Sequence, residues 1–519
     1  MSRGGGTFRR RGPLHLHVGT GQTMSLSESR QIANAGRGGR EIFLTSYMLG
    51  APDGRNLGAP GYSHEFVARL FKPLLDRHGV VREIRNAHRD LQPSIDDCLS
   101  RGGDPVHFSV LPFQDVVVAR GAMNVVMPAW EFPDVPDHPF DGNQQNDWPT
   151  TANRVDMVLV SGPFTAAALT RGGTTSPIRL VPVPVPEAYL AIPARRGGEP
   201  HRIGCPAYVF DRGAEATAPA QGGRRSFSKQ CEKLSRSAVR RIVGRRRYDR
   251  LSSWIKDSRH AGRRSGQRPN YADLPYPKTD DLELSGVVYT SIFNPDDGRK
   301  NWQDLLSAWL VALGDRTDAT LVVKLIAKSE RSVRNVIDNY RGRGIRHRCR
   351  VVFVCDFLSD EQMLALCRAT TYYVQASRAE GNCLPLMNYL AAGRPGVSPD
   401  HSSMGDYFDA RSGFVVQSHP EPTAWPHDHR HRQRTTWGRI VWPSLRDQII
   451  ASHRLFTESP ERYAALSQAC RDSMHAWAGT AAVTARLEAA FAELCGRRGT
   501  RHGGIPTHPA RRQEIRVAA

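Results

Sequence analysis

The chain has 519 residues, enough for two or three domains at roughly 100–200 residues each. Hydrophobic residues make up 39% and charged residues 24%, which excludes a disordered chain, and no run approaches the ~18 apolar residues of a membrane-spanning helix. The formal net charge is +20, but residues 1–40 hold +6 of it, 221–270 hold +13 and 496–519 hold +5, so the rest of the chain stands at −4. That distribution ranks a basic nucleic-acid-binding protein behind an enzyme, and aromatic residues are sparse in 221–270 (Phe227, Tyr248, Trp254). Nine cysteines are scattered with no C-x-x-C, which argues against a disulfide framework or zinc knuckle and for a reducing cytoplasm. The N-terminus has no apolar core, so no secretory signal is expected.

Residues 1–40, rich in Gly, Arg and Ser, predict a disordered tail. Glu41–Met48 then predicts a buried strand, and a Gly/Pro-rich loop runs to Ser63. The following stretch places Phe66, Val67, Leu70, Phe71, Leu74 and Leu75 on one helical face. Strand, glycine-bearing loop and helix open a doubly wound sheet. Short apolar strands are predicted at His107–Leu111, Asn124–Met127, Met157–Val160 and Ile178–Val181, with a helix over Pro163–Leu169. The segment 196–282 breaks this rhythm and predicts a linker carrying a basic amphipathic insertion.

Strands and helices alternate again from 284. Val287–Phe293, Leu321–Ile326, Val351–Val354, Thr371–Gln375 and Gly413–Val416 are the predicted strands. Helices are predicted over 302–313, 332–340, from the capping box Ser359-Asp-Glu-Gln362, and over Leu384–Ala392 up to Gly393. The pattern is helical from Glu461 to Cys495. Alternation at this spacing implies parallel βαβ units. The His-rich run 427–432 has interleaved Arg and predicts a solvated loop rather than a metal site.

The most informative stretch is Gln375–Pro399. A strand ends, Glu380-Gly381 turns, and a helix begins near Leu384-Pro385. The N–H groups of Gly381, Asn382, Cys383 and Leu384 would lie at that helix N-terminus, a ready anion site. Glu380 stands at the strand's carboxyl end. A carboxylate beside an anion site makes sense where sugar hydroxyls sit next to a phosphate. The alternative is a helix N-cap acid with no ligand.

These residues resemble the E-G-x-x-L-P-x-x-E signature of retaining family-4 glycosyltransferases (glycosyltransferases group 1), which have the GT-B fold. Glu380, Gly381, Leu384 and Pro385 match, and Asn388 stands where the family has its second Glu. The resemblance implies that Glu380 and the amides after it hold the donor sugar, that the helix N-terminus holds the diphosphate, and that Asn388 faces the ribose. The stretch 294–309 is similar to the family's strand-end loop of cations. Lys300-Asn301 fits, whereas Arg299 is adjacent to the lysine instead of several residues before it. Fixed cations there would offset the charge that grows on a leaving nucleoside diphosphate. Lys324 matches a strand lysine of related bacterial enzymes. Residues 127–136 resemble a W-E-x-x-x-x-P element, 156–164 a strand and helix start, and 399–408 the loop after the signature. Gly61 lies in a loop placed like the family's first glycine-rich loop, which contacts the donor diphosphate. His64, Trp130 and Glu131 are acceptor-side candidates, with the alternatives of a helix-start residue, a core tryptophan and a surface acid.

The expected architecture is α/β: two Rossmann-like doubly wound parallel-sheet domains facing across a cleft. Its expected segments are a basic tail (1–40), an acceptor-side domain (41–195), the linker (196–282), a nucleotide-sugar domain (283–470), a C-terminal helix (471–495) and a second basic tail (496–519). The resemblance implies a metal-independent retaining glycosyltransferase without a cofactor. Its donor would be a nucleotide-diphosphate sugar and its acceptor a glycan, a lipid-linked molecule or a small molecule. The segment 221–270 could rest on an anionic membrane surface, making the protein cytoplasmic and peripheral to the plasma membrane's inner face. The alternatives are a non-catalytic GT-B-like sugar- or nucleotide-binding protein and, last, a nucleic-acid-binding protein.

Overall fold

A computed structural model describes residues 39–47, 49, 57–58, 61–195, 197–211, 274–425, 428 and 430–501. The expectations for the N-terminal tail before 39, for the basic segment 221–270 and for 502–519 lie outside the described residues.

The first domain is a six-stranded parallel sheet in the order β2-β1-β3-β4-β5-β6. Its strands are β1 (Arg40–Ser46), β2 (Val80–Glu83), β3 (Asp104–Val110), β4 (Met123–Val126), β5 (Met157–Val160) and β6 (Ile178–Leu180). Helix α1 (Tyr62–Leu75) buries Val67, Phe71, Leu74 and Leu75. They pack with Ile42 and Leu44 of β1 and Phe108 of β3. Helix α2 (Gln92–Ser100) covers the other face through Ile95 and Cys98, and α3 (Trp148–Ala152) and α4 (Pro163–Arg171) follow.

A short helix, α5 (Glu187–Leu190), leads to the second domain. Here the expected linker is corrected. Residues 201–210 and 278–284 contain β7 (His201–Ile203), β8 (Ala207–Phe210), β9 (Lys278–Thr279) and β10 (Leu282–Leu284). β8 pairs antiparallel with β13 (Arg350–Val354), and β7 with β10. Strands of two to four residues leave almost no periodicity to read, yet β8 and β9 cover what would be an open sheet edge.

The second domain contains β11 (Val287–Phe293), α6 (Trp302–Leu313), β12 (Ala319–Leu325), α7 (Glu330–Gly342), β13, α8 (Asp360–Ala369), β14 (Tyr372–Val374), α9 (Leu384–Ala391), β15 (Gly396–Ser398) and β16 (Gly413–Val415). The capping box at Ser359 and Gln362 is formed. The six parallel strands run β13-β12-β11-β14-β15-β16. This is the Rossmann strand order, with its switch point between β11 and β14. A hairpin of β17 (Ser418–Ala424) and β18 (Arg434–Ile440) follows, then α10 (Trp442–Glu458), α11 (Pro460–Ala478) and α12 (Thr480–Arg501). The expected last helix, 471–495, is therefore the end of α11 joined to α12, which runs on into the expected tail.

Three devices tie the lobes together. Helix α12 returns to the first domain, where Val483, Leu487, Ala490, Phe491 and Leu494 join its core. Its Glu493 forms a bidentate pair with Arg179, at 2.5 and 2.6 Å. At the crossing point, Arg394 is 1% exposed and donates to the carbonyls of Cys367, Arg368, Ala392 and Pro193. Arg471 donates to those of Leu190 and Ile192. These two guanidiniums serve the carbonyl ends of α5, α8 and α9, where helix dipoles favour cations. Third, the β17–β18 hairpin reaches over the first domain. Trp425 packs on Trp130, Gln433 donates to the Val135 carbonyl, and Arg430 lies over Phe140. The His-rich loop is anchored rather than wholly solvated: buried Asp428 accepts from the backbone N–H groups of Arg430, Arg432 and Gln433.

The carboxyl ends of the two sheets meet. Gly58, beyond β1, lies against the backbone of Ile326–Lys328, beyond β12. Asp406 accepts from the Phe164 N–H at the start of α4. This is the two-lobed GT-B architecture.

Candidate functional site

The switch point of the second sheet places the loop after β11 beside the loop after β14. The first loop is held by an Asp-x-Arg turn. Asp297 accepts from the Arg299 backbone N–H at 3.1 Å and from its guanidinium at 3.1 and 2.7 Å. Asn301 adopts a left-handed conformation and starts α6. The Arg299 carbonyl accepts from the Arg378 N–H at 2.7 Å, which fastens the two loops together.

Across this seam the Lys300 ammonium bonds Glu380 Oε1 at 2.6 Å. Glu380 is 7% exposed, and its N–H donates to Ser402 Oγ at 3.0 Å. After it, Asn382 and left-handed Cys383 lead into α9, whose N-terminus has no side-chain cap. Among the described residues, the N–H groups of Gly381, Asn382, Cys383 and Leu384 donate to no protein acceptor. The Tyr407 hydroxyl donates to the Asn382 carbonyl at 2.6 Å and braces the turn. The pair at 300 and 380 therefore stands beside an open helix N-terminus, as the sequence pattern implied.

Arg299 is placed differently from expectation. Its guanidinium is shared between Asp297 and Glu131, the latter from the first domain at 2.5 Å, and both side chains of that pair are largely buried. Glu131 is thus neither a surface acid nor open to an acceptor: it is the counter-ion of Arg299 across the lobes. Burial raises the carboxyl of Asp297, but the charges of Arg299 and Lys300 outweigh burial and hold it at about 2. Burial is the largest influence on Lys300 and lowers it, yet Glu380 and Asp297 act together against it, and the ammonium stands above its ordinary value. Arg378 lies over the Trp437 ring and donates to Asn301, so the cations that meet the three carboxylates of Asp297, Glu131 and Glu380 are Arg299 and Lys300. Both are already paired, so an entering anion must draw on the α9 amides and on Lys300 as it parts from Glu380.

The other expected residues are distributed around this centre. Trp130 is 3% exposed and packs on Trp148, Phe132 and Trp425. It is a core residue whose ring packs beneath the hairpin's Trp425 while its backbone lies against Gly381. Lys324 is buried at the carboxyl end of β12. Its ammonium donates to the Leu325 carbonyl at 2.9 Å, and burial lowers it to about 8. Its charged neighbour is Asp356 rather than the Lys300 cluster. Asn388, one turn into α9, lies beside the Tyr189 hydroxyl. Gly61 and His64 sit at the start of α1, on the first domain's side.

Asp297, Arg378 and Ser402 were not anticipated. Asp297 had a signal, an Asp two residues before the backbone N–H it accepts from. Ser402 had none, because its contact with Glu380 comes from a loop 22 residues away. No group of three or more metal-ligating side chains is found among the described residues, nor any helix long and apolar enough to cross a membrane.

No protein-family model matches the sequence, and no curated protein matches it. Solved structures overlap it loosely. Sucrose-phosphate synthase from Thermosynechococcus elongatus has a TM-score of 0.48 at 12% identity, over 88% of this chain and 99% of that one. Trehalose-6-phosphate synthase OtsA has 0.45 at 11%, with coverage of 88% and 99%. The pneumococcal O-GlcNAc transferase GtfA, in complex with UDP and GlcNAc, has 0.40 at 13%, over 78% and 60%. Overlaps this loose carry no weight here; the topology and the site geometry do.

Proposed function

We propose that the protein is a glycosyltransferase that moves a sugar from a nucleotide-diphosphate sugar to an acceptor hydroxyl with retention of configuration. One observation carries the reading: the Lys300–Glu380 pair lies at the switch point of a Rossmann sheet, beside the uncapped N-terminus of α9. Such a crevice is where open α/β sheets hold nucleotides, and the motif there is the one that resembles the family-4 signature.

In this reading Lys300 and the amides after Glu380 take the diphosphate. Glu380 then turns to the donor sugar's hydroxyls and orients it. As the bond from C1 to the diphosphate oxygen breaks, a bond from the acceptor oxygen to C1 forms on the same face, and the acceptor proton passes to the leaving phosphate. No protein nucleophile is required. Lys300 and the α9 dipole meet the growing charge, so the proposal assigns no metal or other cofactor. Arg299 acts from one remove, holding Asp297 and Glu131 so that the seam stays shut and dry. Asn388 would face the ribose with its amide. The acceptor would be a glycan or a lipid-linked saccharide, as in polysaccharide biosynthesis. In the latter case the basic segment 221–270 would bring the protein to the cytoplasmic membrane face, and vesicle co-sedimentation that survives deletion of 221–270 would contradict that part.

The test is release of nucleoside diphosphate from a panel of UDP-, GDP- and ADP-sugars. One donor should be turned over, and Lys300→Ala should lower its turnover by about 100- to 1,000-fold, the usual cost of losing one fixed donor to a developing anion. Full turnover in Lys300→Ala and Glu380→Ala refutes the assignment. A second reading is favoured by the pairing of both cluster cations with carboxylates and by Asn388: a non-catalytic sugar- or nucleotide-binding protein. It predicts donor binding with no release of nucleoside diphosphate.

A further inference from the structure

Away from the donor cleft, the second domain carries a cavity of about 510 Å³. It lies where α6 ends, while the Lys300–Asn301 loop lies where α6 begins, so the 12 residues of the helix hold the two roughly 18 Å apart. The cavity is therefore at the amino pole of the second sheet, opposite the carboxyl ends that form the donor site. Leu310, Val311, Leu313 and Ile450 give it an aliphatic wall.

Three arginines stand around that wall: Arg316 after α6, Arg346 before β13 and Arg454 on α10. All three are exposed, and among the described residues no ion pair or hydrogen bond engages their guanidiniums. Asp315 is the one carboxylate of the lining. Burial lowers the lining imidazole of His453, with Asp318 opposing, so it is neutral at pH 7. The lining thus sets three positive charges against one negative.

Arginines around an aliphatic wall suit a ligand with an anionic head and an apolar body, and guanidinium forks match the oxygens of a phosphate. Among the described residues no aromatic carbocycle lines the cavity, so a base or a sugar ring has no platform to stack on. An alkyl chain needs none. The chain's own basic stretches, 1–40, 221–270 and 496–519, carry like charge and do not fit. Val311, and Ile345 next to Arg346, are exposed at 52% and 37%. Aliphatic tips among arginines are the composition of a surface that meets an anionic bilayer. The basic segment joins the fold at this same pole, since Phe210 pairs with Val351 near the amino end of β13.

We propose that this cavity binds the phosphate end of an anionic membrane lipid, with the phosphate on Arg316, Arg346 and Arg454 and the start of the chain along the aliphatic wall. It anchors the second domain by the pole far from the donor cleft. The proposal stands apart from the transferase reading and from any role of 221–270.

Isothermal titration calorimetry of the full chain with hexyl phosphate, inorganic phosphate and hexanol reads the site without a bilayer. Hexyl phosphate is expected to bind at least about tenfold more tightly than either of the others. A hydrogen bond to a charged group is worth about tenfold, so Arg346→Gln and Arg454→Gln together should weaken hexyl phosphate by about 100-fold. Both residues are exposed and unpaired, so the unfolding temperature should not change; arginines that only offset helix dipoles would show the reverse, a lower unfolding temperature and unchanged affinity. Val311→Asn should weaken hexyl phosphate and leave inorganic phosphate as it was. Co-sedimentation with phosphatidylcholine vesicles, with and without phosphatidic acid, identifies the source: phosphatidic acid should raise the affinity of the wild type, and that of the double variant at least about tenfold less. Equal affinity for hexyl and inorganic phosphate, affinity untouched by the double substitution, or hexyl phosphate binding with no effect of phosphatidic acid overturns the proposal. Deleting 221–270 should leave hexyl phosphate binding intact, which separates failure of that segment's role from failure of this site.

Discussion

The pair of Lys300 and Glu380 can be weighed by a double-mutant cycle of Lys300→Met, Glu380→Gln and the two together. The contact is 2.6 Å, with side-chain exposures of 17% and 9%. Breaking a fully buried pair by removing one partner costs about 3–5 kcal/mol, mostly the penalty of the charge left behind. Water reaches this pair a little, so each single substitution should cost about 3 kcal/mol. The double variant strands neither charge and should cost clearly less than the sum, a coupling of roughly 2 kcal/mol. The sign with pH follows from the raised Lys300 ammonium. Its contribution is fully present below the unfolded lysine value near 10.4 and is lost as pH rises through the folded value. The penalty of Glu380→Gln should therefore be flat through neutral pH and shrink only in strong alkali. Urea unfolding at constant m-value reads all of this. Costs that add within about 0.5 kcal/mol would show the pair to be uncoupled and remove the basis of the site.

Asp297, held at about 2, contributes stability above its unfolded value near 3.9 that is lost as pH falls toward 2, about 2 kcal/mol in all; acid unfolding of Asp297→Asn should lack that step. Deleting residues from 480 onward removes five buried side chains from the first domain's core, each worth about 1.5–3 kcal/mol except the smaller Ala490. The first domain should then lose its cooperative unfolding transition while the second keeps its own, as read by calorimetry. Gly58 has φ 73°, and a Cβ there would lie 2.6 Å from the Ile326 carbonyl oxygen. Gly58→Ala should therefore cost about 1–3 kcal/mol and open the seam, measurable as faster proteolysis between the lobes.

Much of this molecule was legible in its residues. The alternation of apolar strands and amphipathic helices gave both parallel sheets, because buried parallel strands leave continuous apolar runs such as Val287–Phe293. The juxtaposition of Lys300 and Glu380 was readable because two local motifs sit at neighbouring strand ends, and the topology brings such ends together. Short strands such as β8 and β9 were not readable, since two to four residues carry no period. Nor was the fate of Glu131 and Trp130. Their motif was seen, but whether a residue beside a seam faces ligand or partner lobe depends on how the lobes close. The hairpin Ser418–Ile440 was missed because β17 carries two prolines and reads as a loop, which leaves β18 without a visible partner strand.

The central claim is that a nucleoside diphosphate is gripped by Lys300 and the amides of α9. Thermal unfolding with saturating UDP, GDP or ADP tests it most directly, because a ligand of the folded state at 100 times its Kd adds about 2.7 kcal/mol of stability. One of the three should raise the wild-type midpoint, and the rise should all but vanish in Lys300→Ala. No rise with any of them, or an equal rise in that variant, would contradict the account.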